Sequence, residues 1–211
     1  MAINRRQFMG TLAAGSAMLA TGGSWAQEFQ AGRHYRNLVP RVPTGLPEGR
    51  IQVVEIFWYG CPHCYNFAPY VHDWIPTLPE HVEFSHLPAP FNDLWALHAR
   101  VFFAARALGI LDDFHMAFFH ALHAQGRNLN SESAILRFVD QRGIDADAFR
   151  DTMRSEQTAE ALHEASLLVQ AFQVEGVPSM VYDGRAMVSA GMAGGHPQVL
   201  QVMDYLIEQN A

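Results

Sequence analysis

The run Ile51–Trp58 (Ile-Gln-Val-Val-Glu-Ile-Phe-Trp) is β-branched, aromatic and almost continuously apolar, which predicts a buried central strand. A Gly60-Cys61-Pro62 turn follows, and a helical pattern then runs to about Leu78. Pro69 is expected to kink that helix, and Pro76 and Pro79 to end it. Residues 82–87 read as a second strand, so strand, helix and strand suggest a parallel βαβ unit. From Asn92 to Phe172 the period changes to three and four. Leu94, Leu97, Val101, Ala105 and Leu108 mark one stripe; Phe114, Phe118 and Ala121/Leu122 mark the next. Ser131 and Asp145 are suited to cap two further helices, and Leu162, Ala165, Val169 and Phe172 mark a last one before Gly176. The β pattern returns in Ser179–Asp183 and Ala186–Ala190, which flank Gly184 as a hairpin. A final helix is expected from His196-Pro197, with Val199, Val202/Met203 and Leu206 on its buried face. The pattern is α/β, a sheet region interrupted by some 80 helical residues.

The N-terminus has a different character. Arg5 and Arg6 precede a mildly apolar stretch, Phe8–Ala20, and Ser24-Trp25-Ala26 offers small residues at a cleavage site. This is the three-part pattern of a secretory signal over residues 1–26. Asn4-Arg5-Arg6-Gln7-Phe8-Met9 resembles a twin-arginine signal, and both that route and the general secretory route stay open. Either leads to a compartment that tolerates disulfides. The 211 residues carry 14 basic side chains, every one Arg, against 21 acidic, a net −7. An acidic chain without a basic cluster argues against nucleic acid as a partner, and the lack of Lys excludes Schiff-base and P-loop lysine chemistry.

The chain has two cysteines, Cys61 and Cys64. Cys61 falls at the cap position of the helix that leaves the predicted central strand. There its sulfur faces unpaired backbone N–H groups and the positive end of the helix dipole, which favour thiolate over thiol. His63, when cationic, adds to this, while Cys64 lies inside the first turn. A stabilised thiolate is a good leaving group, so a disulfide containing it is readily attacked by another thiol, and the pair is an oxidant. Other readings of the two cysteines remain. A structural bridge would close a loop too small to add much stability. Zinc would need two more ligands, and the eleven His include no second pair at ligand spacing apart from His120 and His123, which read by default as an exposed helix face. Haem attachment needs His directly after the second Cys, where Tyr65 stands. No metal or other cofactor is expected.

Trp58-Tyr59-Gly60-Cys61-Pro62-His63-Cys64, with Val177-Pro178 far downstream, resembles the DsbA family over essentially all of residues 30–211. The resemblance implies a thioredoxin fold with an inserted all-helical domain: residues 27–91 and 173–211 form the thioredoxin-like part and 92–172 the insertion. It implies a periplasmic thiol:disulfide oxidase acting on newly exported proteins. Cys61 forms the mixed disulfide with substrate, Cys64 resolves it, and a quinone-linked, DsbB-like membrane partner restores the disulfide. Pro62 and His63 fill the dipeptide between the cysteines. Pro178 matches the family's cis-proline, Val177 the residue whose backbone binds substrate, and Glu55 the buried acid beneath the site. Two positions depart: His86 stands where a lysine pairs with that acid, and Ala68 replaces an acidic residue of the active-site helix. No dimerisation region or second cysteine pair is visible, so a monomer is expected. The alternatives are a reductase or isomerase on the same fold, or a non-enzymatic chaperone-like or metal-binding module.

Overall fold

The computed structural model describes residues 29–209; the expected export signal at 1–26 lies outside the described residues. One mixed sheet of five strands organises the chain, in the order β1-β5-β4-β2-β3. Its centre is β2 (Ile51–Phe57), which pairs parallel with β3 (Val82–Pro88) and antiparallel with β4 (Ser179–Tyr182). Both edges of β2 are therefore hydrogen-bonded and every residue but Gln52 is buried, as a continuous apolar run requires. β4 turns through Asp183-Gly184 into β5 (Ala186–Ser189), forming the hairpin foreseen from Gly184. A Cβ on Gly184 would lie 1.9 Å from the Val42 carbonyl oxygen, at a φ of +59°, so the tight turn admits only glycine. The two-residue edge strand β1 (Arg36–Asn37) is too short to show an alternation and was not foreseen.

Helix α1 (Pro62–Trp74) leaves β2 and returns the chain to β3, giving the parallel βαβ unit. It runs unbroken through Pro69 and tightens into a 3-10 turn at Ile75–Thr77. Five helices follow between β3 and β4: α2 (Asp93–Ala107), α3 (Leu111–His123), α4 (Glu132–Gln141), α5 (Ala146–Met153) and α6 (Glu156–Ala171). Side-chain oxygens of Asn92, Ser131, Asp145 and Ser155 accept N–H bonds at the starts of α2, α4, α5 and α6. The short helix α7 (Ala190–Ala193) continues from β5 and precedes α8 (His196–Glu208).

Alternation along β2 divides the core. Ile51 and Val53 pack with Phe67 and Val71 of α1 and Val202 and Met203 of α8, whereas Val54 and Ile56 pack with Val169 and Phe172 on the other face. The third cluster joins Phe57, Tyr59 and both cysteines to Phe102, Phe114, Phe118, Phe138 and Phe149 of the helical segment. One expected core position is corrected: Leu108 is exposed, because it is the C-cap of α2, and the helix buries Val101–Ala105 instead. No helix among the described residues is long and apolar enough to cross a membrane.

Candidate active site

Chain direction explains where the dithiol sits. β2 ends at Phe57, and the Cys61 N–H donates to the Trp58 carbonyl across 3.0 Å, closing a turn that feeds directly into α1. Gly60 is required in that turn, since a Cβ there would lie 2.2 Å from the Trp58 ring. Cys61 is the N-cap of α1, in extended conformation, and its side chain makes no capping hydrogen bond. Pro62 follows with no N–H of its own, so the first free donors belong to His63 and Cys64.

The two sulfurs consequently differ. The Cys61 thiol is pulled down from its ordinary 9.0 to about 6. A hydrogen bond from the Cys64 thiol contributes most; the backbone N–H groups of Cys64 and His63 and the His63 charge add to it, and burial opposes them. Cys64 is fully buried, and burial is the main reason its thiol is pushed well up, with Cys61 and the Glu55 carboxylate adding to the effect. Cys61 is thus the readily ionised sulfur and Cys64 the one that holds its proton. Both are free cysteines in the structure.

Two other sequence-selected pairs lie beside them. The Cys61 thiol faces the Val177 carbonyl oxygen at 3.6 Å, and the Val177–Pro178 peptide is cis. Val177 and Pro178, together with His63, Met192 and His196, line an open groove of about 660 Å³. On the sheet side, Glu55 and His86 are register partners in β2 and β3, and His86 Nδ1 lies 2.7 Å from Glu55 Oε2. The Glu55 side chain is only 3% exposed, so the imidazole is the partner that makes a buried carboxylate tolerable. Ala68, His86 and His115 border a second cavity of about 240 Å³.

Further participants come from the helical segment and were missed in the sequence. His115 Nδ1 lies 2.9 Å from the Tyr59 hydroxyl, and its ring packs 4.6 Å from His86. Burial, with His86 adding to it, pushes the His115 imidazole well below its ordinary value, so it is neutral near pH 7. Its spacing of three from Phe118 was a readable signal that it faces inward. His120 is exposed, as its helix face was expected to be, with Nδ1 3.0 Å from the Tyr65 hydroxyl of α1, whereas half-buried His123 reaches the redox turn and donates Nε2–H to the Tyr59 carbonyl across 2.7 Å. Trp58 stacks on Trp95 of α2 at 4.2 Å and 8°. Among the described residues no group of three or more His, Cys, Asp or Glu is arranged to hold a metal ion.

A mixed sheet whose central strand delivers two cysteines to a helix N-terminus defines a thiol:disulfide oxidoreductase with a thioredoxin-like fold. A family model described as DSBA-like thioredoxin domain matches residues 95–201. The thiol:disulfide interchange protein DsbA of Azotobacter vinelandii is 39% identical over 97% of each chain, and that of Pseudomonas aeruginosa 39% identical over 87% of each. The crystal structure of Pseudomonas aeruginosa DsbA superposes with a TM-score of 0.82 at 38% identity, covering 86% of this chain and 94% of that one. The oxidoreductase DsbA of Xylella fastidiosa superposes at 0.80 with 28% identity, over 86% and 97%. The chain belongs to the DsbA family.

Proposed function

We propose that this protein is an oxidase that donates a Cys61–Cys64 disulfide to reduced proteins newly exported to the periplasm. A substrate thiolate attacks Sγ of Cys61; the Cys61–Cys64 bond breaks, and Cys64 leaves and takes up a proton. A second substrate thiolate, rather than the Cys64 that the resemblance implied, then attacks the substrate sulfur of the mixed disulfide, and Cys61 departs as a thiolate; attack by Cys64 would only return the substrate reduced. The substrate has lost two electrons and gained a disulfide, and the enzyme is left as the dithiol. A quinone-linked membrane protein of the DsbB type returns those electrons to the quinone pool and restores the bridge. Val177 and Pro178 hold the substrate backbone beside Cys61, while Pro62, His63, Glu55 and His86 tune the pair.

The observation that carries this reading is the contrast between the two sulfurs. A cysteine lowered to about 6 is a good leaving group in the second step and favours the reduced pair. The decisive experiment equilibrates wild-type protein with mixtures of reduced and oxidised glutathione. An oxidase requires the dithiol to persist in mixtures that would oxidise an ordinary dithiol. A pair that stays oxidised under strongly reducing mixtures would make the protein a reductase instead.

A further inference from the structure

Helix α3 grips the chain on both sides of Cys61, using a residue that belongs to neither the dithiol nor the groove. His123 donates Nε2–H to the carbonyl of Tyr59, two residues before Cys61, at 2.7 Å. The same imidazole lies face to face with the ring of Tyr65, four residues after Cys61, with centroids 5.1 Å apart and planes at 16°. Tyr65 is also where α1 begins its hydrogen-bond ladder, since its N–H donates to the Cys61 carbonyl at 3.1 Å. Its hydroxyl is held in turn by His120, one turn back along α3. A single side chain therefore spans the segment whose shape decides where the Cys61 sulfur sits.

We infer that His123 is a positioning residue for the redox centre, holding the Trp58–Cys61 turn and the first turn of α1 in the register that aims Cys61 at its backbone donors. Tyr59 is buried, and the hydrogen bond that closes the turn goes from Cys61 to the Trp58 carbonyl, so the Tyr59 carbonyl takes its donor from outside the turn. Without a donor from α3 this acceptor must turn toward water or another N–H. Either movement rotates the backbone two residues ahead of Cys61 and carries the sulfur away from the N–H groups of His63 and Cys64. Charge on the ring is not needed: a carbonyl only accepts, so Nε2 bears its proton in the neutral and the cationic imidazole alike. The role asks for a donor at this place, and substitutions that keep the ring or keep the donor separate it from packing against Tyr65.

This inference rests on Cys61 being the reactive thiolate. The test measures thiolate absorbance against pH, and the glutathione equilibrium, for wild type, His123→Phe and His123→Gln. His123→Phe keeps a ring against Tyr65 but has no donor. Its Cys61 should titrate higher, and its equilibrium constant should shift about fivefold toward the disulfide, as for the loss of one net hydrogen bond. His123→Gln restores an N–H at similar reach and should return to within about twofold of wild type. A folding defect alone would not move the titration of the protein that remains folded. Should His123→Phe fail to fold, His123→Leu, a smaller side chain that also lacks the donor, must shift Cys61 in the same direction. Wild-type values in the folded variants would overturn the role of His123 and leave the oxidase reading standing. A wild-type Cys61 titrating at its ordinary value would instead remove the oxidase reading.

Discussion

Cys61 stands between two unlike walls. On one side Val177, Pro178, Met192 and His196 border an open groove of about 660 Å³, and the Val177 carbonyl oxygen there lies 3.6 Å from the Cys61 thiol. On the other, Tyr59 is 1% exposed and is enclosed by Phe57, Phe118, Phe119 and His115, with ring centroids between 4.8 and 5.3 Å. The open wall has backbone groups to offer an incoming chain. The closed wall has rings and histidines that determine where the redox turn lies. On the proposed function, recognition falls to the open wall and most of the tuning to the closed one, with His63 at the groove's edge, so the two walls should respond to substitution separately.

The largest effect belongs to the closed wall. Tyr59→Ala removes a fully enclosed ring and leaves His115 Nδ1 without its partner, and it should cost about 3–5 kcal/mol. Met192→Ala, at the half-buried groove edge, should cost less than about 1 kcal/mol. Urea unfolding of both variants measures the difference. Equal losses would mean that the two walls are packed alike and would break the comparison.

The next effect lies at the seam and depends on pH. Cys61 has a depressed value in the folded dithiol, about 6 against an ordinary 9.0. Its thiolate therefore stabilises the reduced protein above that pH, and the contribution is lost as pH falls through about 6. The oxidised protein has no thiolate to lose, and Cys64, pushed up by burial, keeps its proton across the range. Between pH 5 and 7.5 the reduced form should gain about 2 kcal/mol over the oxidised form. The small disulfide ring adds an offset to the oxidised form that does not vary with pH, so the slope is the quantity to measure. Unfolding curves of both forms at several pH values supply it. Parallel curves would show that the helix terminus does not hold a thiolate.

Much of the open wall and the dithiol was legible in the sequence, and most of the closed wall was not. Ile51–Phe57 is buried on both faces and reads as a central strand by composition alone. Cys61 at the start of α1 follows from a turn signal ahead of a helical period. Glu55 and His86 could be paired because each lies at a countable position in a parallel strand, and the register places them side by side. Nothing local tells Tyr59 that a helix some 60 residues later will supply His115 and His123. Periodicity can say that His115 faces inward, but not which carbonyl or hydroxyl it will meet. The stripe on α2 failed at Leu108 for a related reason: the period continued past the point where the helix ended. The two-residue β1 exists only because β5 is there to pair with it.

The last effect is read on substrate release rather than on stability and belongs to the open wall, where Pro178→Thr sharpens the comparison. Pro178 begins the approach to β4 and borders the groove, and it brings no N–H to a place where an extended substrate would lie against Val177. An N–H at that position adds one donor beside the groove where the substrate is proposed to lie. The thiolate titration of Cys61 should therefore be retained. Release should be slowed, because one more net hydrogen bond of about 1 kcal/mol holds the mixed disulfide roughly fivefold longer. Acid-quenched reactions with a reduced substrate protein, separated without reductant, would show the mixed disulfide accumulating in the variant and passing quickly in wild type. If Pro178→Thr instead raised the Cys61 titration while releasing substrate at the normal rate, the open wall would also be tuning the sulfur, and the division of labour between the two sides would fall.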